Sequence, residues 1–115
     1  MVMKIALVAV MILHGTIHSM GFIKAFRIAE VSQLVHPIPK PIGILWLVAG
    51  LLFIFAAVQF SIERQSWWMF SAPAVVISQY LIVNDWQDAK LGSVANIIVL
   101  LASIIGFIVW TMAKM

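Results

Sequence analysis

The chain has 115 residues, enough for one domain, and 64% of them are hydrophobic whereas only 10% are charged. Soluble domains carry about 25% charged residues, so this chain has too few polar side chains to cover a surface that faces water, and we expect an integral membrane protein whose main partner is the lipid bilayer. The net charge of +3 comes from scattered Lys and Arg residues without a basic cluster, which argues against nucleic acid and fits lipid headgroups, and the absence of cysteine excludes disulfides, thiolate metal sites and cysteine nucleophiles.

Four apolar segments approach the length of about 20 residues that a helix needs to cross a bilayer. They cover residues 3–23, 42–60, 67–84 and 92–112. Only helices or closed barrels satisfy their backbone in lipid, and these segments are too continuous for barrel strands. The sequence therefore predicts an all-α fold, an integral membrane four-helix bundle in which residues 1–115 form a single domain. A signal peptide over residues 1–13 is less favoured, because no A-x-A-like cleavage site follows it.

The connections between these segments have the composition of membrane boundaries. The longest connection, residues 23–41, contains three prolines within His36–Pro41, which prevent a helix there. The polar turn 61–66 is followed by Trp67 and Trp68, which is typical of the aromatic belt at a membrane surface. With four spans both termini lie on one side, but the Lys and Arg residues divide too evenly between the sides to fix the orientation.

Two histidines stand out in the first segment, because polar residues within a membrane are costly. His14 and His18 are four residues apart and so share one helix face, about 6 Å apart along the axis. The pair suits metal ligands, a proton relay or hydrogen bonds to a buried ligand, and equally hydrogen bonds to neighbouring helices. A metal site needs further ligands, for which Asp85 is the candidate. One face of the second segment is explained better by packing than by ligand binding, and it carries Trp46, Gly50, Phe53 and Ala57.

Polar residues of three segments are predicted to meet at one depth. A rise of about 1.5 Å per residue places His18, Gln79 and Asn96 at similar depth, with His14 one turn deeper. We expect a polar pocket inside the bundle that opens toward the 23–41 and 84–92 connections. The alternative is a hydrogen-bond network that only fixes packing, at about 1 kcal/mol per contact. The candidate ligand-binding residues are His14, His18, Gln79, Asp85 and Asn96, and the sequence identifies neither a catalytic residue nor a cofactor.

Several segments together resemble a group of small bacterial four-span integral membrane proteins. They are residues 14–26, 39–46, the pair Ser78-Gln79, and residues 86–92 with Asn96. More loosely, the architecture is similar to the DoxX-like membrane proteins. The resemblance covers nearly the whole chain and implies a four-span fold in a bacterial inner membrane. It carries over no activity and no catalytic residue.

Three functions fit the sequence. The first is a module that binds or transports a small apolar or ionic ligand in the polar pocket; four helices rarely enclose a transport path alone, so a homo-oligomer is expected with it. The second is a structural or accessory subunit, or an anchor for a separate partner. The third is a membrane enzyme with a lipid-like or quinone-like substrate, which is least favoured because no nucleophile motif supports it.

Overall fold

The computed structural model describes all of residues 1–115, and its regular structure is entirely helical, which confirms the all-α prediction. The helices are α1 (Val2–Ala25), α2 (Lys40–Ser61), α3 (Trp68–Asn84), α4 (Trp86–Ala89) and α5 (Gly92–Ala113). Three of them, α1, α2 and α5, are long and apolar enough to cross a membrane, whereas α3 is a shorter apolar helix of 17 residues. The four-residue helix α4 lies in a segment for which the residue pattern predicts only a connection.

Helices α1 and α2 end in the same way, with one residue in the left-handed region. Arg27 follows α1 with φ 55° and Glu63 follows α2 with φ 62°. Each is part of a Schellman motif, since the next amide bonds back to a carbonyl of the last turn: Ile28 N to Ile23 O at 3.0 Å and Arg64 N to Gln59 O at 2.9 Å. These motifs satisfy carbonyls that the helix ends would otherwise leave unpaired.

The four long helices contact one another in the order α1, α2, α3, α5 and back to α1, and the contact between α1 and α5 is the smallest of the four. Helices α1 and α2 approach most closely at two glycines. A Cβ atom on either Gly15 or Gly50 would lie 2.7 Å from the carbonyl oxygen of the other. Only glycine permits this backbone separation, so the α1–α2 contact is fixed by residues without side chains.

Two apolar clusters fill the interior, one at each end of the molecule. Met11, Phe53 and Val99 belong to the cluster nearer the chain termini. Leu34 and Trp46 belong to the other, so the connection between α1 and α2 is packed into the core instead of lying free. His14 and His18 of α1 and Ser78 of α3 are buried between these two clusters.

Side-chain contacts tie the connections to their neighbours at both ends. At the end that carries the chain termini, Lys4 forms an ion pair with Glu63 at 3.3 Å. At the opposite end, Asp88 of α4 accepts hydrogen bonds from the backbone amides of Val35 and His36. These hydrogen bonds hold the 26–39 connection against α4, next to the apolar cluster that contains Leu34 and Trp46.

Candidate functional site

The structure brings four of the sequence-predicted site residues into one hydrogen-bonded group. His14 Nε2 lies 2.9 Å from Asn96 Oδ1, and Asn96 Nδ2 donates to Gln79 Oε1 at 3.0 Å. His18 joins through Ser78, whose hydroxyl lies 2.8 Å from His18 Nε2. We call these five residues the polar layer. Helices α1, α3 and α5 contribute them, which agrees with the depth match predicted from the sequence.

Ser78 is the centre of the polar layer, although the residue pattern does not single it out as a site residue. It is fully buried, and its Oγ accepts a hydrogen bond from Asn96 Nδ2 at 3.0 Å besides its contact with His18. A serine within an apolar helix is common enough to carry little signal. The sequence signal for Ser78 is its position next to Gln79, on a helix that is expected to pack beside the histidines.

The proton positions on His18 follow from its partners. His18 Nδ1 lies 2.8 Å from the carbonyl oxygen of His14, which can only accept, so Nδ1 carries the proton. In the neutral ring Nε2 is then an acceptor, and the Ser78 hydroxyl donates to it. Both nitrogens of His18 are therefore occupied within the protein, and His18 orients its neighbours.

His14 has the opposite arrangement. Asn96 directs its amide nitrogen at Ser78 and Gln79, so its Oδ1 accepts from His14 Nε2–H. The Nδ1 atom of neutral His14 is then an acceptor, and it has no hydrogen-bond partner. It is not among the fully buried unpaired atoms, which are the indole nitrogens of Trp46 and Trp68, so it retains accessible surface.

A cavity of about 470 Å³ lies beside the polar layer, and we call it the histidine cavity. Both histidines line it, and it extends between α1 and α5 to Leu34 and to Asp88. Trp46 also lines it, is 3% exposed, and has an Nε1–H without an acceptor. The packing role predicted for Trp46 is confirmed by its burial, but its place beside the cavity is not evident from the residue pattern.

The histidine cavity is partly open, and most of its lining is apolar. Beside the polar layer it offers one unused acceptor, His14 Nδ1, whereas the Nε1–H of Trp46 is unpaired but fully buried. Gly92 belongs to the same wall, and a Cβ atom there would lie 3.3 Å from His14 Cε1, so glycine keeps this edge of the imidazole uncovered.

Asp85 lies apart from the polar layer, at the junction of α3 and α4. Helix α3 ends at Asn84, and Asp85 turns toward the 26–39 connection with φ −116°. There it lies with His36 and Asp88, and the predicted metal set of His14, His18 and Asp85 does not assemble. Burial, reinforced by the neighbouring charge of Asp88, raises the pKa of Asp85, whereas the backbone N–H of His36 holds the pKa of Asp88 below its usual value.

A second depression, the α1–α5 groove, lies toward the chain termini. Its volume is about 720 Å³ and its lining is almost wholly apolar, with Ala102 on its α5 side. Between this groove and the histidine cavity, the hydrogen bond from His14 to Asn96 joins α1 to α5. The boundary between α1 and α5 is thus open at both ends and closed near its middle.

Comparisons of the chain with protein-family models, with curated proteins and with solved structures give no significant match.

Proposed function

We propose that the protein crosses the membrane with four helices, α1, α2, α3 and α5, and binds a small ligand in the histidine cavity. At about 1.5 Å per residue the 17 residues of α3 span about 25 Å, near the lower limit for a transmembrane helix. Trp67 and Trp68 at its start pack beside Trp110 and Gly106 of α5, as aromatic residues do at a membrane surface.

The observation that carries the binding function is an unused acceptor beside an apolar cavity. Buried polar groups in proteins are nearly always hydrogen-bonded, yet His14 Nδ1 has no partner and retains accessible surface where His14 lines the cavity. It is available for a ligand that offers a hydrogen-bond donor. A neutral, mainly apolar molecule with a hydroxyl group has this chemistry.

The rest of the polar layer supports this role of His14. Asn96 takes the Nε2 proton of His14 and so leaves Nδ1 as an acceptor. Gln79 and Ser78 in turn hold the Asn96 amide in the orientation that makes this possible. We infer that His14 is the ligand-binding histidine and that His18, Ser78, Gln79 and Asn96 position it.

Native mass spectrometry of the detergent-purified protein tests the binding function. The wild type is expected to retain a co-purified small molecule. Ala95→Phe, which fills the histidine cavity, is expected to lose it, and Ala102→Phe, a matched change on α5 that fills the α1–α5 groove, is expected to keep it. Loss in the Ala102→Phe variant with retention in Ala95→Phe would place binding in the groove and contradict the proposal.

The same spectra report the stoichiometry of the assembly. Only Asn96, Val99 and Ser103 of α5 are buried, so most of this helix presents an apolar surface to its surroundings. We propose that lipid and a second copy of the chain share that surface in a homo-oligomer. The likeness to bacterial four-span proteins supports an inner-membrane location.

A further inference from the structure

Three side chains capable of binding a metal converge where the 26–39 connection meets α4. His36 comes from the connection, Asp85 from the end of α3 and Asp88 from α4. One nitrogen or oxygen atom of each lies within 4.8 Å of the others. Asp85 and Asp88 are close in sequence, but His36 is distant from both, so the fold brings the imidazole to the two carboxylates.

The separations within this cluster are too long for hydrogen bonds. His36 Nδ1 lies 3.4 Å from Asp88 Oδ2 and 3.8 Å from Asp85 Oδ1, whereas an N–H···O hydrogen bond spans about 2.7–3.2 Å. Two ligands on one tetrahedral Zn²⁺ at about 2.0–2.1 Å are separated by about 3.3 Å. His36 Nδ1 therefore lies near both carboxylates without a hydrogen bond to either, at separations close to those between two ligands of one ion.

Asp85 gives a second, independent indication of a ligand. The residue is 8% exposed, and its carboxylate accepts no hydrogen bond; its nearest positively chargeable neighbour is His36 at 3.8 Å. Its oxygens are not among the fully buried unpaired atoms, so they retain accessible surface at which an ion can bind. Because the Asp85 carboxylate lies near that of Asp88, a cation between the two carboxylates would compensate the negative charge of Asp85.

Asp88 is held in place for such a role. Its Oδ2 accepts hydrogen bonds from Val35 N at 2.8 Å and His36 N at 3.0 Å, which fix the carboxylate against the connection. The Lys24 ammonium, which also acts on both carboxylates, donates a hydrogen bond to the Leu34 carbonyl. The positive charge of Lys24 repels a bound cation, so we expect a moderate affinity for a metal ion.

We propose that His36, Asp85 and Asp88 bind a divalent transition-metal ion such as Zn²⁺ or Mn²⁺, with water completing the coordination. One imidazole and two carboxylates form a ligand set that suits these borderline ions better than soft Cu(I), which prefers sulfur. The ion joins the 26–39 connection to α4 beside the mouth of the histidine cavity. The metal site includes none of the residues that position His14. A test of metal binding is therefore independent of whether a ligand binds in the histidine cavity.

Metal titration of the full-length protein tests this site. Tag-free protein in detergent, stripped with a chelator, is titrated with Co²⁺ by visible absorption and with Zn²⁺ by calorimetry. The wild type is expected to bind one ion per chain. Asp85→Asn and His36→Gln are expected to weaken binding by more than about tenfold, the loss that even an outer hydrogen-bonding partner causes. The exposed Glu30→Gln, in the same connection, should bind as the wild type does.

Two results would overturn the proposal. One is no Co²⁺ or Zn²⁺ binding by the wild type at millimolar metal, and the other is unchanged affinity in both Asp85→Asn and His36→Gln. Circular dichroism and gel-filtration elution identify a variant that has failed to fold. In that event His36→Gln decides, because the His36 side chain is 51% exposed and its replacement is well tolerated by packing.

Discussion

His14 and His18 lie one helical turn apart, yet their imidazoles have different surroundings. His18 uses both ring nitrogens within the protein, one on the His14 carbonyl and the other on Ser78. His14 uses only Nε2, on Asn96, and leaves Nδ1 free beside the histidine cavity. The two histidines therefore have different roles, and the difference comes from the elements that pack against each ring.

This difference predicts opposite neutral tautomers. In protein labelled with ¹⁵N-histidine, we expect His14 to carry its proton on Nε2, because the Asn96 amide oxygen accepts it. We expect His18 to carry its proton on Nδ1, because the His14 carbonyl oxygen accepts it. Magic-angle-spinning NMR in lipid distinguishes the two by their ring nitrogen shifts. Exposed His36 provides the reference signal, and the same tautomer for both buried rings would contradict this network.

Removal of Asn96 is expected to destabilise the fold. Asn96→Leu leaves His14 Nε2–H and Gln79 Oε1 without their partners, and hydrogen bonds of this kind between membrane helices are worth about 1–2 kcal/mol in total. Unfolding in mixed micelles, followed by circular dichroism, measures the loss. The control is Asn84→Leu, since Asn84 is exposed and forms no side-chain hydrogen bond; an equal loss in both variants would count against the network.

Much of the polar layer is predictable from the sequence, because the spacing of polar residues and the rise of a helix fix their relative depth. His14, His18, Gln79 and Asn96 follow from that arithmetic. The position of the Asp85 side chain does not follow from it, because that position depends on where α3 ends and not on helical periodicity. The accessible edge of His14 is likewise invisible in the sequence, because it depends on which side chains of α3 and α5 face the ring.

At the scale of the helices, the closest contact is the one between α1 and α2. It involves Gly15 and Gly50 at its centre and, toward the 26–39 connection, Gly43, where a Cβ atom would overlap that of Ala25. Small residues of this kind let membrane helices approach closely and gain van der Waals contact. The first two helices are therefore expected to be the most rigidly paired.

Two glycine substitutions with different neighbours test this contact. Gly50→Ala places a methyl group 2.7 Å from a backbone oxygen, which cannot move alone, and such overpacking costs about 1–3 kcal/mol. Gly92→Ala meets first the end of the flexible Ile82 side chain, at 2.8 Å, so its cost is expected to be smaller. The free energy of unfolding of both variants is measured in one detergent, and an equal or larger cost at Gly92 would contradict the account.

The helices themselves differ in how well the sequence predicts them. Uninterrupted apolar length indicates α1, α2 and α5, and all three are long enough to cross a membrane. Helix α4 is too short for any periodic pattern. The burial of Leu34 is also missed, because a connection rich in proline is expected at the surface, and only tertiary contact with α4 and α1 accounts for its packing.

For the whole molecule, the proposed four-span arrangement predicts which segments share a side of the membrane. The chain has no cysteine, so a single introduced cysteine is labelled without background. In sealed vesicles, Glu63→Cys and Lys114→Cys should react from one side, and Glu30→Cys and Lys90→Cys from the other. Labelling of positions 63 and 90 from the same side would show that α3 does not cross, and would limit the chain to fewer spans.

The small contact between α1 and α5 has a consequence for the order in which the protein is made. Helix α1 is synthesised well before α5, since His14 and Asn96 are 82 residues apart. Until α5 docks, the polar layer and the histidine cavity both lack a wall, so a partly inserted chain lacks the proposed binding site. A ligand that binds only the finished site stabilises that final docking by mass action, and so assists assembly at its last step.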